Sequence, residues 1–320
     1  AKITVLGKIC LKRSEALILQ QNRTSCLPTP VRWGVGRRKS YLLTRTIMRT
    51  ILVPTDFSRE AEQAVKVAAA VAQKTGAKLR LLHVVQSVYA HEYNEGSPLL
   101  PDTAQQRLAR QINMAEERMQ ALTKGLENRN VGVEADVQVG STAKHVSSII
   151  ADNPDVDLIV MGTRGDTGLH ELFIGSRTEK VVRFANCPVL SVRHLDGEFR
   201  LRDVVLATDF SNDNQPLIGK LKDLQDVFKF YIHVLYVNTP INYDTTFRIE
   251  ERMQRFLQTN QLENYRTAII DDYSHQEGIR RYAERVHADM IAMVTHGRSG
   301  VSYLLDGSTA EEVVNHATTP

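Results

Sequence analysis

Within MGTRGDTGLHELFIGS, Gly162, Gly165 and Gly168 follow an apolar run, and Gly175-Ser176 opens the amphipathic stretch after it. Glycine reaches positive φ at little cost and lets a ligand approach the backbone closely. A helix start adds unpaired N–H donors and the positive end of the macrodipole. These residue types can together cradle a phosphate chain on backbone groups, with Arg164 adding a charge-assisted contact. Asp56 stands where the first strand of the same unit should end, so its carboxylate is expected at the same sheet edge. A plainer reading competes at each point. Ser176 with Glu179, and Ser308 with Glu311, fit S-x-x-E capping boxes. The glycines also suit turns, and Asp56 suits an N-terminal turn.

Other chemistries lack their residues. The chain has no GxxxxGK[ST], GxSxG or HExxH. The glycine loop follows the fourth strand, whereas a dinucleotide fingerprint follows the first. No carboxylate pair recurs in both copies as a general acid and base would. His83 reads as a packed strand residue.

The elements that must position the loop occur twice. RTILVPTDFS (49–58) returns as RDVVLATDFS (202–211), LRLLHVV (79–85) as IHVLYVN (232–238), and VDLIVMGTRG (156–165) as ADMIAMVTHG (288–297). Ordered agreement over such lengths implies a duplicated domain. In each copy, short runs rich in β-branched residues alternate with stretches of three-to-four-residue apolar spacing. This pattern predicts an α/β fold of two tandem, doubly wound parallel-sheet domains. Ligands on such sheets bind at strand carboxyl ends, near the switch in strand order. Copy one continues VLSVRH after FANCP, whereas copy two stops at HATTP, so the second domain is expected to lack its last strand.

Composition narrows the class. At 320 residues, 42% hydrophobic and 24% charged, the chain suits about two soluble domains. No apolar run nears the roughly 18 residues of a membrane helix, so no membrane span is expected. Cys10, Cys26 and Cys187 match neither a disulfide framework nor a CxxC site, which points to a cytoplasmic protein. The first 47 residues hold ten Lys/Arg against Glu15 alone, a balance of +9 within a total of +3. The remainder, at −6, gives no reason to expect nucleic acid. Residues 1–47 are read as a basic extension outside the fold, translated upstream sequence in preference to a targeting peptide or a polyanion-binding arm. Domains are expected at 48–196 and 200–320.

With these residues in view, the sequence resembles the universal stress protein family in its tandem-domain form. Gly162, Gly165, Gly175 and Ser176 meet the G-x2-G-x9-G-[ST] signature of its ATP-binding branch. The resemblance covers about Met48 to Pro320. It implies a Rossmann-like, adenine-nucleotide alpha-hydrolase-like fold. It also implies that Pro54, Thr55, Asp56 and Val84 line an adenine and ribose pocket, with Gly140 approaching the ribose. Gly162, Thr163, Arg164 and Gly165 would wrap ribose and phosphates; Gly175, Ser176, Arg177 and Thr178 would meet the phosphates. The implied ligand is ATP, with magnesium or manganese bridging its phosphates. In copy two Asp209, Gly297, Gly300, Gly307 and Ser308 remain, but Val294 replaces the first signature glycine and Ala207 the proline. A weaker second site is expected there, with Val294 crowding the nucleotide. Family members pair through the fifth strand, so the two copies are expected to pair within the chain, with a homodimer as the other arrangement. No catalytic residue is assigned. The expected role is nucleotide-dependent conformation or partner binding in stress response, with at most slow ATP hydrolysis. A true nucleotide hydrolase or nucleotidyl-transfer enzyme on the same sheet, and a nucleotide-independent scaffold, are the alternatives.

Overall fold

The computed structural model describes residues 2–7, 48–86, 102–140, 155–162, 181, 185, 187–194, 197–210 and 215–294. A strand β1 (Lys2–Gly7) comes first. Copy one then supplies β2 (Thr50–Pro54), α1 (Arg59–Thr75), β3 (Lys78–Gln86), α2 (Asp102–Glu127), β4 (Val133–Gly140), β5 (Val156–Gly162) and β6 (Val189–His194). Copy two supplies β7 (Asp203–Ala207), α3 (Gln215–Phe228), β8 (Tyr231–Asn238), α4 (Thr246–Asn260), β9 (Tyr265–Asp271), α5 (His275–Arg285) and β10 (Met290–Val294). The helical stretches expected after β4 and β5 lie almost wholly outside the described residues.

Local chemistry sets the first helix. Ser58 Oγ accepts from Ala61 N at 3.2 Å, and Gly76, at φ 74°, closes the far end by donating to the Ala72 carbonyl. Ala64, Val67, Ala68 and Val71, spaced by three and four, are buried against the sheet.

Among the described residues the strands form one sheet in the order β4-β3-β2-β5-β6-β1-β10-β7-β8-β9. Copy one contributes five parallel strands and copy two four, each a doubly wound unit. The chain runs outward from β2 to β3 and β4, then returns to the other side of β2 for β5 and β6. The switch in order therefore falls between β2 and β5, and in copy two between β7 and β10.

The structure departs from the expectation that the basic extension stands outside the fold, because Lys2–Gly7 is a strand within the sheet. It runs parallel to β10, with Ile3 opposite Met290 and Gly7 opposite Val294, and antiparallel to β6. It thus takes the place in copy two that β6 holds in copy one. The physical reason is that β6 and β10 would otherwise each present a row of unpaired backbone donors and acceptors. A KITVLG segment, rich in β-branched residues, satisfies both rows.

One device ties strand ends together in each copy. Asp157 Oδ2 accepts from Arg49 N at 2.8 Å, and Asp289 Oδ2 accepts from Arg202 N at 2.7 Å. Asp157 also joins the copies, its Oδ1 lying 2.8 Å from Lys220 Nζ on α3. Burial pushes the Asp157 pKa up, but Lys220 and the Arg49 amide outweigh it and hold the carboxyl below its usual range. Beside this pair lies Cys187, whose thiol is pushed up to about 12, first by burial and then by the Asp157 charge. Its thiolate is therefore scarce at pH 8. With Cys10 and Cys26 replaced by serine, iodoacetamide should label Cys187 at least tenfold more slowly in the native protein than in urea. Equal rates by mass spectrometry would contradict this placement. Among the described residues no helix is long and apolar enough to cross a membrane.

Candidate functional site

The repeated Thr-Asp-Phe triplet folds the same way in both copies. Thr55 N extends the ladder by donating to the Leu82 carbonyl at 2.8 Å. Its hydroxyl accepts from Phe57 N at 3.1 Å; in copy two Thr208 does the same for Phe210 N at 2.9 Å. Phe57 and Phe210 then take left-handed backbone, φ 61° and 67°. A bulky residue there costs on the order of 1 kcal/mol, so something must hold it. The ring of Phe57 packs on His83 with centroids 4.5 Å apart, and Phe210 stacks on Tyr236 at 5.5 Å. His83 and Tyr236 occupy matching positions on β3 and β8. An arginine caps each pair, Arg118 over Phe57 and Arg252 over Tyr236. Sequence reasoning missed these phenylalanines, although their recurrence in TDFS was the available signal. His83 is a structural residue here, its Nδ1 bonded to the Thr55 carbonyl at 2.8 Å.

The left-handed step turns Ser58 N back to Asp56 Oδ1, 3.1 Å away. Asp56 therefore has a structural duty in the turn, the plainer of its two readings from sequence. The turn also leaves it exposed at the strand-end rim. Pro54, Thr55 and Asp56 at the end of β2, Val84 near the end of β3, Gly140 at the end of β4 and Gly162 at the end of β5 come together on one rim. That rim flanks the β2–β5 switch point, the position where open α/β sheets bind ligands. Thr163, Arg164, Gly165, Gly175, Ser176, Arg177 and Thr178 lie outside the described residues, as do Gly297, Gly300, Gly307 and Ser308 of copy two.

Gly162 has a packing reason for being glycine. A Cβ built on it would lie 2.5 Å from the Glu60 carbonyl carbon, 2.6 Å from the Glu60 oxygen and 2.8 Å from Ala61 N. The first turn of α1 rests directly on the end of β5. In copy one's geometry a side chain at this position would meet the helix start.

Copy two has a crevice at its own switch point. Thr208 and Asp209 of the turn, Tyr236 and Val237 of β8, and His275 and Ile279 of α5 line it. Val237 corresponds to Val84, and Asp272 to Gly140. Burial lowers the pKa of His275, with the Asp209 charge pulling it back up in part.

Two doubly wound parallel units, each with its own strand-end switch point, make this a tandem α/β protein with one candidate ligand site per repeat. The model of the Universal stress protein family matches residues 48–193 and again 200–320. The chain belongs to that family, in its tandem form. Among curated relatives, a universal stress protein of Synechocystis is 31% identical over 150 residues, covering 45% of this chain and 97% of its own. One from Thermus aquaticus is 36% identical over 149 residues, 46% of this chain and all of its own. Each of these two relatives corresponds to a single copy. Among solved structures, a universal stress protein from Archaeoglobus fulgidus superposes over 86% of this chain and 97% of its own, with a TM-score of 0.67 at 18% identity. That likeness concerns the fold of the whole tandem chain.

Proposed function

We propose that copy one binds an adenine nucleotide, ATP by preference, and that the protein acts in stress response through the conformation or partner binding that the nucleotide sets. What carries this reading is the turn at the switch point: a Thr-Asp-Phe-Ser loop that fixes a carboxylate at the strand-end rim while the adjoining rim positions are glycine. A carboxylate held there suits nucleoside hydroxyl and amino groups, which donate hydrogen bonds. The glycine loop after Gly162 would supply backbone donors to the phosphates, and magnesium or manganese would enter bridging their oxygens. The residues of the rim bind and orient; none is assigned to activate a water, so any hydrolysis is slow.

Calorimetric titration of ATP into Asp56→Ala and Asp56→Asn tests the reading. A charge-assisted hydrogen bond contributes about 1.5–3 kcal/mol, or roughly ten- to a hundredfold in Kd. Asn can still accept from Ser58 N and keep the turn. Both variants should lose affinity by about that factor, with Asp56→Asn retaining wild-type thermal stability. Unchanged ATP affinity in both, or no ATP binding by the unaltered protein, overturns the reading.

A further inference from the structure

The four most exposed large hydrophobic side chains among the described residues are Ile241, Tyr243, Phe247 and Tyr273, each 71–89% exposed. All four belong to copy two. Ile241 and Tyr243 lie in the connection after β8, Phe247 in the first turn of α4, and Tyr273 just past β9. β8 and β9 are neighbours, with Asn238 opposite Asp271 where both strands end. One nitrogen, Asn238 Nδ2, donates to Asp271 Oδ1 at 3.0 Å and to the Asp244 carbonyl at 3.3 Å. This ties the two connections together and gathers the four side chains at one corner, on the outer strand pair of the sheet.

The corner is held firmly. Thr239 is buried, and its carbonyl accepts from Asn242 N at 3.1 Å, closing a turn with Pro240 and Ile241 at its centre. Turn centres favour Gly, Asn, Asp or Ser; here isoleucine stands at the tip. Asp244 N donates to Asn238 Oδ1 at 3.1 Å, and the Asp244 carboxylate accepts from Thr245 N at 2.8 Å and from Arg252 at 3.1 Å. These polar anchors keep the apolar side chains in water, where their exposure is unfavourable. At roughly 150–250 Å2 per aromatic side chain, the three rings and Ile241 present on the order of 600 Å2. Monomers rarely expose contiguous apolar patches beyond a few hundred Å2, and a standard interface takes about 800 Å2 from each partner. The corner thus supplies most of the area that a stable pairing needs. Its flanking charges are of both signs. Exposed Arg248 follows Phe247 and reaches Asp244 only at 4.0 Å, while exposed Asp271 precedes Tyr273. A two-fold axis through the rings would set Arg248 of one molecule toward Asp271 of another, so the surface complements itself.

We propose that this corner is a homodimer interface, with Ile241, Tyr243, Phe247 and Tyr273 packed against the same residues of a second molecule of this chain. The pairing needs no nucleotide, so the test uses the nucleotide-free full chain. Sedimentation velocity over a dilution series should show a reversible monomer–dimer equilibrium. Amide hydrogen exchange over residues 239–247 should slow as the protein concentration rises. Phe247→Ala and Tyr273→Ala should each weaken dimerisation at least about tenfold, because each substitution counts twice in a symmetric pair. Both side chains are exposed in the single molecule, so the dilute variants should melt like the dilute wild type. A chain that stays monomeric at every concentration, leaving the corner to an unlike partner, overturns the inference. A dimer whose Kd neither substitution changes overturns it as well, by placing the contact elsewhere. Either result leaves the nucleotide reading of copy one standing.

Discussion

Gly162→Val should unseat the start of α1 and lower the melting temperature of copy one by roughly 5–10 °C. The β-carbon alone would sit 2.5–2.8 Å from the Glu60 and Ala61 backbone, and backbone cannot rotate aside as a flexible side chain can. Ala61 N is also the donor captured by the Ser58 cap, and Ser58 N is the donor captured by Asp56. Pushing the first turn away therefore strains the cap, the Asp56 turn and the left-handed Phe57 together. Overpacking of this kind typically costs about 1–3 kcal/mol, each kcal/mol being worth roughly 2–4 °C in a domain of this size. Gly162→Ala, which adds only the β-carbon, should show a smaller drop of the same sign. ATP affinity should fall in both, since Asp56 moves with the turn. A Gly162→Val protein that melts like the wild type would show that α1 does not rest on β5.

His233→Leu should destabilise copy two by about 1–3 kcal/mol. His233 is 2% exposed and bridges two elements, with Nδ1 3.1 Å from the Tyr282 hydroxyl and Nε2 2.9 Å from Asp203 Oδ1. Asp203 is a carboxylate that only accepts, so Nε2 donates to it. Leucine fills the space but leaves both partners unanswered. Asp203, 30% exposed, can turn to water, so most of the cost falls on the Tyr282 hydroxyl. Adding Tyr282→Phe should recover part of the loss, because removing both partners of a buried hydrogen bond is far cheaper than removing one. Denaturant unfolding of the two single variants and the double variant measures this coupling; strict additivity would refute it. Copy one has Arg80 at the matching position, 4.0 Å from Asp136 at the sheet's outer strand pair. The two copies thus share a fold while anchoring the second strand differently. ATP binding at copy one should be unaffected by His233→Leu.

The parts of this protein legible in one dimension are those set by short-range periodicity. The duplication, the strand–helix alternation, the Ser58 cap and the Gly76 stop all follow from apolar spacing and from residues whose own backbone preferences act within a turn. The rim positions of Asp56 and Gly162 followed as well, because a parallel sheet with right-handed crossovers sends every strand's carboxyl end to one edge; those of Val84 and Gly140 came from the family resemblance. What depended on partners distant in the chain became visible only in three dimensions. Gly162 needs to lack a side chain because of a helix start contributed by a different strand–helix unit. Phe57 tolerates left-handed backbone because His83 waits on the neighbouring strand. His275 faces Asp209 because Gly278 lets α5 settle on β8. Lys2–Gly7 pairs with β6 and β10 through backbone groups that every residue but proline carries in full, so no side-chain pattern could have announced its partners. Local propensity determined which elements form; shape and hydrogen-bond complementarity between elements decided which residues meet.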